Sequence, residues 1–146
     1  MSGILVGVDG SGHSQQALEW AAKEAAIRQT SLTVLAVDQA VAGFWGGTLH
    51  YGEDEARTRK VREAVQAETD KVLATLGDSR PASVTVTAIH GYPAEALVEA
   101  GADADMIVLG SHGGGGWSRQ LIGATATKVV LHATVPVIII PSERRG

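Results

Sequence analysis

The sequence predicts an α/β domain built on a parallel sheet. Apolar strand-like runs alternate with helix-like stretches from end to end of the 146 residues, the pattern of strands joined by helical crossovers. The run Met106-Ile107-Val108-Leu109 is apolar throughout, as a strand covered on both faces must be. Five strands are countable in the sequence.

The first strand is expected over 4–8, followed by a helix over about 14–29 whose small apolar stripe is Ala17, Leu18, Ala21, Ala22 and Ala25. Ser14 is placed to cap that helix at its N-terminus. The second strand is expected over 32–37. A polar, glycine-containing connection over 39–52 then leads to a charged helix over 53–76, with Gly77 in position to end it. That helix carries Arg57, Arg59, Lys60, Arg62, Glu63 and Glu68, read as a solvated face with i, i+4 pairs.

Residues 84–88 alternate apolar and polar, which predicts an edge strand, whereas the continuous run at 106–109 predicts a central one. Between them Pro93 opens a helix through Leu97 and Val98, an allowed first-turn position for proline. A last helix is expected over 124–132 and a last strand over 135–140. Pro136 lacks the N–H a ladder needs, so this strand belongs at an edge. An edge so rich in isoleucine needs a cover: a second copy of the chain pairing through Val135 to Ile140, or the last helix or the tail. We take the homodimer as the expectation.

Composition narrows the function classes. A chain with 45% hydrophobic and 19% charged residues fits one globular domain over 1–146, and at this length roughly 68–70% of the unfolded surface can be buried. Cysteine is absent, which excludes disulfides, thiolate metal sites and cysteine nucleophiles and fits a reducing cytoplasm. The N-terminal apolar run has no basic stretch before it and is too short for a leader or a membrane span. A net charge of −4 and a pI near 5.7 argue against a nucleic-acid partner, which calls for a basic face. Glycine is in excess, with 18 residues against about 10 expected from average usage, and much of the excess is clustered.

In open parallel sheets ligands sit beyond the carboxyl ends of the strands, where strand order reverses. Three segments are expected there: Gly7-Val8-Asp9-Gly10-Ser11, Val37-Asp38, and Gly110-Ser111-His112-Gly113-Gly114-Gly115-Gly116. The last can turn its N–H groups inward and admit phosphate oxygens without interference from β-carbons. Gly123-Ala124-Thr125 opens the final helix, where unpaired N–H groups and the helix dipole favour an anion. The plainer alternative is a flexible turn followed by a tight helix start. Neither G-x-x-x-x-G-K-[ST] nor G-x-G-x-x-G follows the first strand, so neither a P-loop nor a dinucleotide fingerprint is supported.

The spacing Gly110-x2-Gly113-x9-Gly123 after an Ile-Val-Leu strand resembles the ATP-binding branch of the universal stress protein family. The resemblance extends to residues 4–11, 104–110 and 135–138. It implies a five-stranded parallel sheet of order 3-2-1-4-5, helices on both faces, and a dimer formed through the last strand. It places Gly7 and Asp9 near ribose and phosphates, with Asp9 helping to hold a magnesium ion, and the backbone of Val37 against adenine. Gly110, Ser111, His112, Gly113, Gly114, Gly115 and Gly116 would wrap ribose and phosphates, while Gly123, Ala124 and Thr125 would hold phosphates at the helix start. The family pattern has Ser or Thr where this chain has Ala124. The lost hydrogen bond to a charged group is worth about 1.5–3 kcal/mol, which keeps ADP and AMP beside ATP as ligands.

Other residues have plainer roles open to them. Asp9 can ligate magnesium or merely cap its turn, and His112 can touch phosphate or simply face solvent. Trp117 is read as packing, while Phe44 and Trp45 are exposed-looking aromatics without an assigned role. His13, His50, His90 and His132 show no metal-ligand spacing. The expected function is a small ATP-binding stress-response regulator whose nucleotide occupancy alters a dimer or partner surface. The alternative is a dimer of the same kind that binds no nucleotide and acts as an interaction or protective module. An enzyme is not expected, because Asp9, Ser111 and His112 lack an evident orienting partner. The H-x-G-H motif of nucleotide-transferring relatives is absent, as are the acidic residue and lysine that a phospho-receiver carries at its strand ends.

Overall fold

The computed structural model describes residues 3–9, 12–39, 51–111 and 123–141. Along the chain the elements are β1 (Ile4–Val8), α1 (Gly12–Arg28), β2 (Ser31–Gln39), α2 (Tyr51–Leu76), β3 (Ser83–Gly91), α3 (Pro93–Gly101), β4 (Met106–Gly110), α4 (Ala124–His132) and β5 (Val137–Ile140). The strands form one sheet in the order β3-β2-β1-β4-β5, every pair parallel. This is the order that the resemblance implies, with the alternating strand at one edge, the proline-led strand at the other and the continuously apolar β4 inside.

The two sheet faces bury different sets. On one, Ala17, Leu18, Ala21, Ala22 and Ala25 of α1 and Val65 and Val72 of α2 pack on Ile4, Val6, Leu32 and Val34. The alanine stripe lets α1 lie close to the sheet, and all five of its residues are at most 1% exposed. On the other face Leu97 of α3 and Ala126 and Val129 of α4 pack on Leu5, Leu35, Ile107 and Leu109. Alternation along each strand thus feeds two cores at once.

Several boundaries differ from expectation for local reasons. Helix α1 begins at Gly12, so Ser14 stands inside its first turn rather than at its cap. The helix stops at Arg28 because Gln29 turns left-handed, φ 54°, with Gln29 N–H donating to the Ala26 carbonyl and Thr30 N–H to that of Ala25, the paired bonds of a Schellman ending. Gly77, φ 63°, follows α2 in the place expected of it. β5 begins at Val137 rather than at 135. Pro136 cannot donate, but its carbonyl still accepts the Ile107 N–H at 2.9 Å. β2 and β3 run on to Gln39 and Gly91, beyond the expected ends.

Candidate functional site

The extra length of β2 shapes the site. β2 pairs with β1 only as far as Val8 and Ala36 but stays paired with β3 out to Gln39 and Gly91. Residues 37–39 therefore project past the end of β1 on its β2 side, while on its other side, between β1 and β4, the strand order reverses. A cleft of about 310 Å³ opens there, at the carboxyl ends of the strands, the general location of ligands in sheets of this kind.

The cleft has two unlike ends. Leu35 and Val37 of β2 with Pro93 and Leu97 of α3 make an apolar end. Gly110 at the end of β4 and Gly123, Ala124, Thr125 and Ala126 at the start of α4 make a polar one, with Gly7, Val8 and Asp9 of β1 between them. Gly123 caps α4, its carbonyl accepting the Thr127 N–H at 2.9 Å. The next three residues supply first-turn N–H groups, which have no partner inside a helix and carry the positive end of its dipole.

Of the residues expected at the site, Gly7, Asp9, Val37, Gly110, Gly123, Ala124 and Thr125 line this one cleft. Ser111 is not among the lining residues. Its N–H donates to the Ile140 carbonyl at 3.0 Å and its carbonyl accepts the Gly123 N–H at 2.7 Å. Ser111 thus ties β4 to β5 and to the start of α4, and the Gly123 N–H is engaged within the protein. His112, Gly113, Gly114, Gly115, Gly116 and Trp117, like Phe44 and Trp45, lie outside the described residues.

Sequence reasoning did not place Ser14 in the site. It is buried, lines the cleft and accepts the Asp9 N–H on its hydroxyl at 3.3 Å. The Asp9 side chain itself is exposed at the cleft. No group of three or more His, Cys, Asp or Glu among the described residues is arranged to hold a metal ion.

A second cluster lies on the opposite sheet face, directly behind Val37. The Asp38 side chain is 5% exposed and meets Arg57 Nε of α2 at 3.2 Å. The Thr58 hydroxyl donates to the same carboxylate at 3.2 Å. Across the register stands His90 of β3, whose Nδ1 is 3.6 Å from Asp38 Oδ2. The charged helix is therefore not merely solvated: Arg57 reaches the buried carboxylate of the sheet. Period-two alternation held the signal, because a strand that turns Val37 to one face turns Asp38 to the other, where a buried carboxylate needs donors.

A family model for the universal stress protein family matches residues 1–141. The chain belongs to that family. A universal stress protein of Mycobacterium tuberculosis is 35% identical over 147 residues, covering 97% of this chain and 48% of its own length, so the chain spans about half the length of the curated relatives it matches. A universal stress protein solved in complex with cAMP superimposes with a TM-score of 0.70 at 20% identity, covering 98% of each chain. The universal stress protein of Archaeoglobus fulgidus in complex with dAMP gives 0.59 at 24%, covering 96% of this chain and 98% of that one. These likenesses establish the universal stress protein fold for this sheet and its helices. No helix among the described residues is long and apolar enough to cross a membrane.

Proposed function

We propose that this universal stress protein binds an adenine nucleotide in the cleft at the end of β1, with ATP the expected ligand and ADP or AMP the nearest competitors. The observation that carries the reading is the cleft's asymmetry. An apolar end at Val37, Pro93 and Leu97 suits a base, and a helix start with glycines at Gly110 and Gly123 suits phosphates. The folds related to this one that were solved with cAMP and dAMP lend support to the adenine nucleotide as ligand class. Magnesium would be held chiefly by the phosphates and water, with the exposed Asp9 carboxylate as the protein's oxygen donor, in keeping with the ion's preferences.

The reading assigns no catalytic residue: nucleotide occupancy orders the cleft and changes the surface offered to partners, in the cytoplasm. That surface includes a homodimer contact through β5. Support comes from the edge position of β5 and from Val130 and Leu131 of α4, which are 49% and 72% exposed. An apolar edge strand beside exposed aliphatic residues calls for cover.

Isothermal titration of nucleotide-stripped protein with ATP, ADP, AMP and cAMP in magnesium tests the ligand, beside an Ala124→Asp control that sets a carboxylate at the phosphate end. Saturable binding abolished by the control is expected. Absence of binding by the folded protein would replace this reading with that of an interaction dimer that takes no nucleotide.

A further inference from the structure

We infer that Asp38 is a positioning residue for the base end of the cleft, clamping the projecting end of β2 to α2 so that Val37 meets the base at a fixed height; the inference rests on the nucleotide reading above. Residues 37–39 have β3 beside them on one side but have outrun β1 on the other. A strand end paired on one side only is held less firmly than a strand interior, and Val37, which lines the cleft, lies on this stretch.

What holds it is on the far face. Asp38 is the one buried acidic residue among those described, and it holds Arg57 at 3.2 Å and Thr58 at 3.2 Å, while His90 Nδ1 stands off at 3.6 Å without a hydrogen bond. A charge-assisted bond to a buried carboxylate fixes both partners more firmly than a neutral contact does. Arg57 and Thr58 lie near the start of α2, so one side chain sets α2 and the β2 end against each other. Asp38 is not among the described residues that line the cleft, and its influence on a ligand is therefore indirect, through the backbone of its neighbour Val37.

The consequence is selective. Loosening the clamp disturbs the base end and leaves the phosphate end at α4 alone, because Gly123 is anchored separately through Ser111 and Ile140. Titrations of the intact chain with ATP, GTP and ADP in magnesium read this directly, for the wild type, Asp38→Asn, Arg57→Ala and Arg57→Lys. The ATP-over-GTP affinity ratio is expected to fall by about two- to thirty-fold in Asp38→Asn and Arg57→Ala, the usual range for coupling through a neighbour. The ATP-over-ADP ratio should hold steady and Arg57→Lys should recover most of the loss. The Arg57 side chain is 57% exposed, so its variants remain informative if Asp38→Asn does not fold.

A wild type that takes ATP and GTP alike, variants that keep its preference, or equal losses for all three nucleotides would overturn the inference while leaving the nucleotide site standing. A folded wild type that binds none of them removes both.

Discussion

Leu97 of α3 lies against Gly7 of β1: a β-carbon at Gly7 would stand 2.8 Å from Leu97 Cδ2 and 2.9 Å from Leu109 Cδ2. Both leucines line the cleft, and the atoms in the way are the mobile ends of their side chains. Gly7→Ala therefore pushes them toward the open volume instead of breaking the sheet. The stability cost, read by chemical denaturation, is expected near the low end of the range for overpacking, about 1 kcal/mol. Nucleotide affinity should suffer more, by about ten-fold or 1.4 kcal/mol, because the displaced leucines occupy the ligand's space. Loss of stability with unchanged affinity would show that the base does not lie against Leu97.

Gly101 offers the contrasting case. A β-carbon there would fall onto the side chain of Ile107 and come within 3.3 Å of Leu5 Cδ2, and Ile107 is wholly buried on β4. Neither Gly101 nor Ile107 lines the cleft at the end of β1. Gly101→Ala is expected to cost about 1–3 kcal/mol, seen as a lowered thermal midpoint, while nucleotide affinity of the folded fraction stays at the wild-type value. Together the two glycine variants separate packing from binding on one sheet face.

How much of this was legible depended on whether a residue's role is repeated along the chain or is met once across it. The alanines of α1 announce their stripe by spacing alone, and the unbroken Met106-Ile107-Val108-Leu109 run announces an inner strand. Gly7, Asp9 and Val37 could be placed in the site because each ends a strand whose direction the parallel sheet dictates. Ser14 does not take the cap position that a hydroxyl near a helix start favours locally, because α1 begins at Gly12 and the hydroxyl accepts the Asp9 N–H instead. The contact of Arg57 with Asp38 was hidden for a different reason: the two are far apart in sequence, and a helix so rich in charge gives no sign of which arginine turns inward. Tertiary geometry chose it.

A homodimer through β5 would also bury the outer flank of α4. Lys128 and His132 of α4 border the groove toward α3, and Val129 is buried beneath the helix. Val130 then falls on the opposite flank, toward β5, by the rotation of about 100° per residue that 3.6 residues per turn impose. Val130→Glu should leave thermal stability of the protomer within about 0.5 kcal/mol, as for other exposed substitutions, yet shift the species seen by sedimentation from dimer to monomer. A Val130→Glu protein that still sediments as a dimer would move the interface away from this flank.

The most direct probe of ligand orientation is the residue that departs from the family pattern. Ala124 occupies the first position of α4 beside the capping Gly123, lines the cleft and is exposed. A serine hydroxyl there adds a donor without disturbing packing, and first-turn serine is well tolerated in a helix. If terminal phosphates lie over this helix start, Ala124→Ser gains a hydrogen bond to a charged group worth about 1.5–3 kcal/mol, roughly ten- to a hundred-fold in affinity. The gain should appear for ATP and shrink for ADP and AMP, whose phosphates end sooner. An equal gain for all three would place the shared α-phosphate at Ala124, and no gain would mean that the phosphates do not lie over this helix start.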